Sequence, residues 1–228
     1  MCANRALGVL AAPLRHEPDD LIRAEAVFSR SLEFVDLSTT DVVIRRGTVV
    51  DGTGAPGRVA DVAVANGRIT EIGPDLAVTG AHEIHADGHL VTPGFVDIHT
   101  HYDAQVFWDP DLTPSLHHGV TTVVAGNCGF SIAPIGADGV GLLARTLQHV
   151  EDMSLDTLTV GVPWDEFETF GEYLDAVERR SPALNFGCYI GHTALRLWAM
   201  GDDAYERDPT ADELTRMRDA VAEAIAAG

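Results

Sequence analysis

The spacing of apolar residues changes along the chain, and each change predicts a different kind of element. From Asp41, DVVIRRGTVVDGTG and then ADVAVANGRITEIGP alternate apolar and polar positions, the period of half-buried strands. Three short strands are predicted there. Asn66-Gly67 between DVAVA and RITEI suits the two positive φ angles of a type I′ hairpin turn. Asp51-Gly52 and Asp87-Gly88 mark further turns. A small β module is expected over residues 41–92. Thr92-Pro93-Gly94 then reads as a turn, with proline setting φ and glycine free to take a positive one.

Beyond Gly94 strands alternate with helical stretches. FVDIHTH reads as a strand, LTPSLHH as a short helix stopped at Gly119, and VTTVVAGN as an almost wholly apolar or β-branched strand. DGVGLLARTLQHVEDM and DEFETFGEYLDAVERR carry helical spacing, and ALNFGCYIGH is a third strand. TADELTRMRDAVAEAIAAG closes the series as a helix, with Thr210 as N-cap and Glu213 three residues later, the reciprocal pair of a capping box. Near-continuous apolar strands between helices predict a parallel sheet covered on both faces. The expected fold class is therefore α/β. Three βα units close no barrel, so the reading is an incomplete (β/α)8 TIM barrel over residues 93–228, the N-terminal portion of a longer protein.

Residues 1–40 have another texture. They hold one amphipathic stretch, DDLIRAEAVFSRSLEF, and no chemistry, and are read as an extension. The apolar ALGVLAAPL is short, lacks a clear cleavage site and runs into the polar RHEPDD, so it is not read as a signal peptide.

Composition adds two exclusions. The 228 residues are 46% hydrophobic and 22% charged, with a mean hydropathy of +0.05, an ordinary globular profile without a membrane-length apolar run. Asp plus Glu number 35 against 15 Lys plus Arg, a formal charge of −20. Nucleic acid and anionic membranes reward positive charge, so neither is expected as a partner. All 15 basic residues are arginine. The three cysteines, Cys2, Cys128 and Cys188, make no disulfide framework, and a cytoplasmic location is expected.

Candidate chemistry gathers at the predicted strand ends, where parallel α/β folds place their functional groups. The first strand ends in His99-Thr100-His101, with Asp97 and Asp103 in step; the second ends in GNCG with Cys128; the third ends in Gly191-His192. Side chains two apart on a strand share a face, and imidazole and thiolate are preferred zinc ligands. His99, His101 and Cys128 are therefore candidate metal ligands, with Asp97 one pleat deeper as a candidate to orient them. The bland readings stand beside these. A lone HxH is a weak signal, and a lone cysteine is more often buried filler. Gly126 and Gly129 around Cys128 argue instead for a loop of close approach. Cys188 and Phe186 read as core. His117-His118 reads as a helix end, where imidazolium suits the negative terminus. His192 reads as a loop or substrate-side histidine.

The stretches VTPGFVDIHTHYDAQ, GVTTVVAGNCGFSIAP, WDEFETFGEYLDAV and GHTALR resemble the amidohydrolase superfamily, and within it the D-aminoacylase or N-acyl-D-amino-acid deacylase branch. The likeness runs from Asp41 to the end. It implies that residues 41–92 are the N-terminal part of a composite β-sandwich. It also implies that His99 and His101 bind a metal, with Cys128 taking part in binding zinc, one ion tightly and a second, if present, more weakly. Two further histidines and an aspartate complete the family site; all would lie beyond Gly228, so no catalytic residue is expected in this chain. The isolated chain is expected to bind zinc weakly and to be inactive.

The implied activity is hydrolysis of a non-peptide C–N bond in a small N-acyl amino acid. Zinc polarises the carbonyl and lowers the pKa of water from about 15.7 towards 7. Cyclic-amide hydrolases of the hydantoinase and dihydroorotase kind are the alternative, along with a non-catalytic remnant. Cys128, which those cyclic-amide relatives do not need, favours the acyclic reading. His192 and Arg196 are candidates to face the substrate, Arg196 by pairing with a carboxylate unless a surface acid takes it. No oligomeric state is assigned.

Overall fold

The computed structural model describes residues 9–13 and 40–228; Cys2 and the DDLIRAEAVFSRSLEF stretch lie outside the described residues. Two compact units form, one chiefly of residues up to Phe95 and the other of residues 96–116 and 122–228.

The first unit is one six-stranded sheet. Its strands are β1 (Val9–Pro13), β2 (Thr40–Val49), β3 (Arg58–Ala65), β4 (Arg68–Gly73), β5 (Gly80–His85) and β6 (His89–Pro93). They run in the order β1-β6-β2-β3-β4, with β5 paired to β2 off that path. Neighbours are antiparallel except that β2 runs parallel to β5 and β6. Asn66 and Gly67 take φ of 52° and 69°, the two positive values that a type I′ turn needs. The period-two pattern buries Ile44, Val49, Ala60, Val62, Ala86 and Val91 as one core. All six described strands of this unit belong to one hydrogen-bonded sheet.

Where that pattern breaks at Arg45-Arg46, the ladder carries a bulge between Ile44 and Gly47, with Arg46 at φ 56°. Opposite it sits Asp61, 3% exposed. Its carboxylate accepts the Arg46 N–H at 2.8 Å, the Arg45 guanidinium at 3.0 Å and the Leu76 N–H at 3.1 Å. Burial alone would raise the pKa of Asp61; those three donors outweigh it and hold the carboxyl below its ordinary value. The doubled arginine is thus a bulge and its counter-ion.

Thr92-Pro93-Gly94 is not the expected turn. β6 runs through Pro93 and the next strand begins at Phe95, so the chain stays extended. Gly94 is needed for space, because a Cβ there would collide with the Thr121 side chain.

The second unit carries β7 (Phe95–Thr100), α1 (Tyr102–Gln105), α2 (Thr113–Leu116), β8 (Val120–Ala125), α3 (Val140–Glu151) and α4 (Leu155–Gly161). It continues with α5 (Phe170–Arg180), β9 (Asn185–Cys188), α6 (His192–Met200) and α7 (Ala211–Ala227). The sheet order is β7-β8-β9, and β8 pairs parallel to β9 from Thr122↔Asn185 to Ala125↔Cys188. The fold is mixed α/β with an open sheet. Val96 and Ile98 on β7 are 60% and 64% exposed, so the described residues do not cover the sheet on both faces as expected. Phe186 and Cys188 are accordingly half-buried, not core.

Helix starts follow their caps. α5 begins at Phe170, not at Asp165, because Thr169 and Glu172 form a capping box; such a cap contributes about 1 kcal/mol. Thr210 and Glu213 start α7 in the same way. The α5 face buries Phe170 and Tyr173, and Tyr173 meets Phe107 and Phe167 edge-on, with centroids 6.0 and 5.4 Å apart. The Tyr173 hydroxyl donates to the Asp103 carbonyl at 3.1 Å. That bond ties this aromatic core to the segment just after the histidine pair.

Candidate metal centre

His99 is the last but one residue of β7, and His101 lies one step past its end with φ −113° and ψ 40°. Thr100 between them faces the opposite way. It is buried, and its hydroxyl donates to Val124 O on β8 at 3.0 Å. With Thr100 so anchored, the alternation of the strand turns both imidazoles to one side, where their centroids are 5.4 Å apart.

The thiol arrives on a tight turn after β8. Gly129 N–H donates to Gly126 O at 3.0 Å, and both glycines have positive φ, 77° and 91°. A Cβ at Gly126 would also strike the Tyr189 carbonyl, so close approach and backbone conformation demand glycine together. Asn127 Nδ2 donates to Ile98 O at 3.0 Å, stitching the turn to β7. Cys128 Sγ then stands 3.9 Å from His101 Nδ1. One donor atom each from His99, His101 and Cys128 falls within 4.8 Å of the other two.

That donor set fits one ion. With Zn–N of about 2.1 Å and Zn–S of about 2.3 Å, tetrahedral neighbours stand about 3.5 Å apart, so small side-chain rotations close the three on a common centre. His99 and Cys128 are exposed and His101 is half-buried, which leaves the centre open to a small molecule.

The remaining sequence candidates fall elsewhere. Asp97 accepts the backbone N–H of His99 at 3.2 Å, so any orienting effect on His99 runs through the backbone. His192 is exposed at the first turn of α6 and is not among the three converging donors. Arg196 has backbone partners of its own. Nε and Nη2 donate to Ala204 O at 3.0 and 2.6 Å, and Nη2 also donates to Arg207 O at 2.8 Å. Through Nε and Nη2 the guanidinium closes the turn after α6.

Two carboxyl groups near the centre, Asp103 and Glu151, are given no role in the sequence reading of the site. Glu151, the last residue of α3, places Oε1 3.2 Å from His101 Nδ1. Asp103 is buried, and its Oδ2 has no hydrogen-bond partner. Burial first, and then the charge of Glu151, push its pKa up to about 7. Only Asp103's step with the histidines hinted at it; Glu151 is fifty positions from His101 with no local pattern linking them.

Comparison with known proteins gives the chain its relatives. The amidohydrolase family model matches residues 82–227. D-aminoacylase of Alcaligenes xylosoxydans xylosoxydans is 40% identical over 195 residues, covering 85% of this chain and 37% of that protein. A solved D-aminoacylase, described for a binuclear metal centre with one-metal activation and second-metal attenuation, superposes with a TM-score of 0.70 at 39% identity, over 83% of this chain and 37% of that one. N-acyl-D-glutamate deacylase from Bordetella bronchiseptica, solved with zinc and a phosphonate mimic of the tetrahedral intermediate, gives 0.69 at 36% identity, over 82% and 36% of the two chains. The chain thus spans a little over a third of the relatives it matches. Among the described residues no helix is long and apolar enough to cross a membrane.

Proposed function

The chain belongs to the amidohydrolase family, and on that premise we propose that His99, His101 and Cys128 are the N-terminal ligands of a zinc site in a hydrolase that deacylates N-acyl-D-amino acids. The observation that carries this reading is the thiol. Cys128 meets the histidine pair within 4.8 Å, on a glycine turn shaped for that approach. The deacylase likeness over most of the chain supports the substrate class.

When bound, zinc supplies Lewis acidity toward an amide carbonyl and acidifies a water. The chain's own residues set up that chemistry. His99 and His101 contribute neutral lone pairs, and Cys128 contributes a thiolate whose charge offsets part of the cation's. The Thr100–Val124 and Asn127–Ile98 bonds hold the two donor segments in register. His192 is a candidate to meet the substrate at the α6 terminus. The remaining ligands and the proton-transferring aspartate fall to the portion of the relatives that this chain does not span. In the same reading β7, β8 and β9 are the first strands of a (β/α)8 barrel, residues 41–92 join a composite β-sandwich, and the protein works in the cytoplasm.

The experiment is an assay of the full-length protein on N-acetyl-D-amino acids beside hydantoin. Zinc-dependent release of the free D-amino acid is expected. Turnover of hydantoin alone would overturn the substrate class.

A further inference from the structure

Glu151 sits where a helix gains nothing from it. A carboxylate in the last turn faces the negative end of the helix dipole, at a cost of about 0.3–1 kcal/mol. Asp152 ends α3 immediately afterwards in the left-handed conformation, φ 54°. The Glu151 side chain is only 14% exposed, and its Oε1 is 3.2 Å from His101 Nδ1.

An ionised carboxylate accepts hydrogen bonds and donates none. The contact therefore requires a proton on Nδ1, and in the neutral ring Nε2 then keeps its lone pair. Cys128 Sγ, at 3.9 Å from the same nitrogen, is the weaker competitor for that proton by distance. Resting on the zinc reading above, we propose that Glu151 is a positioning residue of the metal centre. It fixes His101 as the Nε2 donor and holds the plane of the imidazole. The opposing arrangement puts the ion on Nδ1, the nitrogen that faces the thiol, and then Glu151 must let go.

Two measurements on the 228-residue chain separate these arrangements. The first is the tautomer of His101 without metal, read from long-range 15N–1H correlations above the pH at which the ring titrates. Nδ1–H is expected in the wild type and in Glu151→Gln, whose amide oxygen still accepts, and is expected to be lost in Glu151→Ala. The second is zinc affinity by chelator competition. Glu151→Ala should weaken binding about 10- to 100-fold, and Glu151→Gln should recover most of that. Gln148→Ala, exposed on the same helix, should change nothing.

Zinc binding by Glu151→Ala as tight as or tighter than wild type would overturn the proposal. So would a glutamine variant as impaired as the alanine one. Failure of the wild-type chain to take up zinc would remove the metal reading, and the positioning role with it. A wild-type Nε2–H tautomer with normal zinc uptake would remove the positioning role alone.

Discussion

Asn127 Nδ2 donates to Ile98 O across 3.0 Å, so the loop that carries Cys128 is tied to the strand that carries His99. The bond joins the two candidate ligand segments through groups that are not among the three converging donors. Replacing Asn127 by Ala should cost about 1 kcal/mol of stability and weaken zinc affinity, while leaving the fold intact by circular dichroism. Unchanged zinc affinity in that variant would show that the turn holds the thiol without the stitch.

Gly126→Ala should be more damaging. The φ of 77° disfavours any side chain, and the Cβ would meet the Tyr189 carbonyl. Urea denaturation should show a loss of about 1–3 kcal/mol. A midpoint within error of wild type would mean the turn relaxes freely.

Arg196→Ala should lower stability by about 1–3 kcal/mol, because the carbonyls of Ala204 and Arg207 lose a charged donor. In the full-length protein the Michaelis constant for N-acyl-D-amino acids should not move. A raised Michaelis constant at unchanged stability would restore Arg196 to the substrate.

The start of α7 should be sensitive to acid. Glu213 bonds the Arg207 guanidinium at 2.7 Å and the Thr210 N–H at 2.7 Å, and these donors lower its pKa from 4.5 to about 2. A carboxyl depressed in the folded state stabilises above its unfolded pKa and loses that contribution as pH falls through the folded one. Thermal stability should therefore decline from pH 4.5 towards 2, and the part of the decline due to this group should vanish in Glu213→Gln. Equal slopes for the two proteins would contradict the assignment.

What could be read ahead of the structure was whatever has a local signature. Asn66-Gly67, Thr210 with Glu213, and the two-residue spacing of His99 and His101 each act within a few positions of themselves. Thr169 and Glu172 carried the same capping signal three residues apart. Helical spacing that began at Asp165 hid it, and the helix was drawn too long. Gly94 was read by backbone freedom when the limiting factor is the Thr121 side chain, a contact no sequence window contains. The strand pattern of ALNFGCYIGH runs through His192, and no helix is predicted where α6 follows. Buried Ala194, Leu195, Leu197, Ala199 and Met200 leave no clean polar face to mark a helix period. The Glu151–His101 contact depends on where α3 ends in space, which the chain around either residue does not encode.

Cobalt loading of the 228-residue chain tests the shared thiol–imidazole centre most directly, since a thiolate on cobalt(II) gives a near-ultraviolet charge-transfer band that nitrogen and oxygen donors do not. The band should appear as the wild-type chain takes up the ion and be absent from Cys128→Ala, whose affinity should also drop. Stoichiometric cobalt without the band, or equal affinity in Cys128→Ala, would contradict the centre.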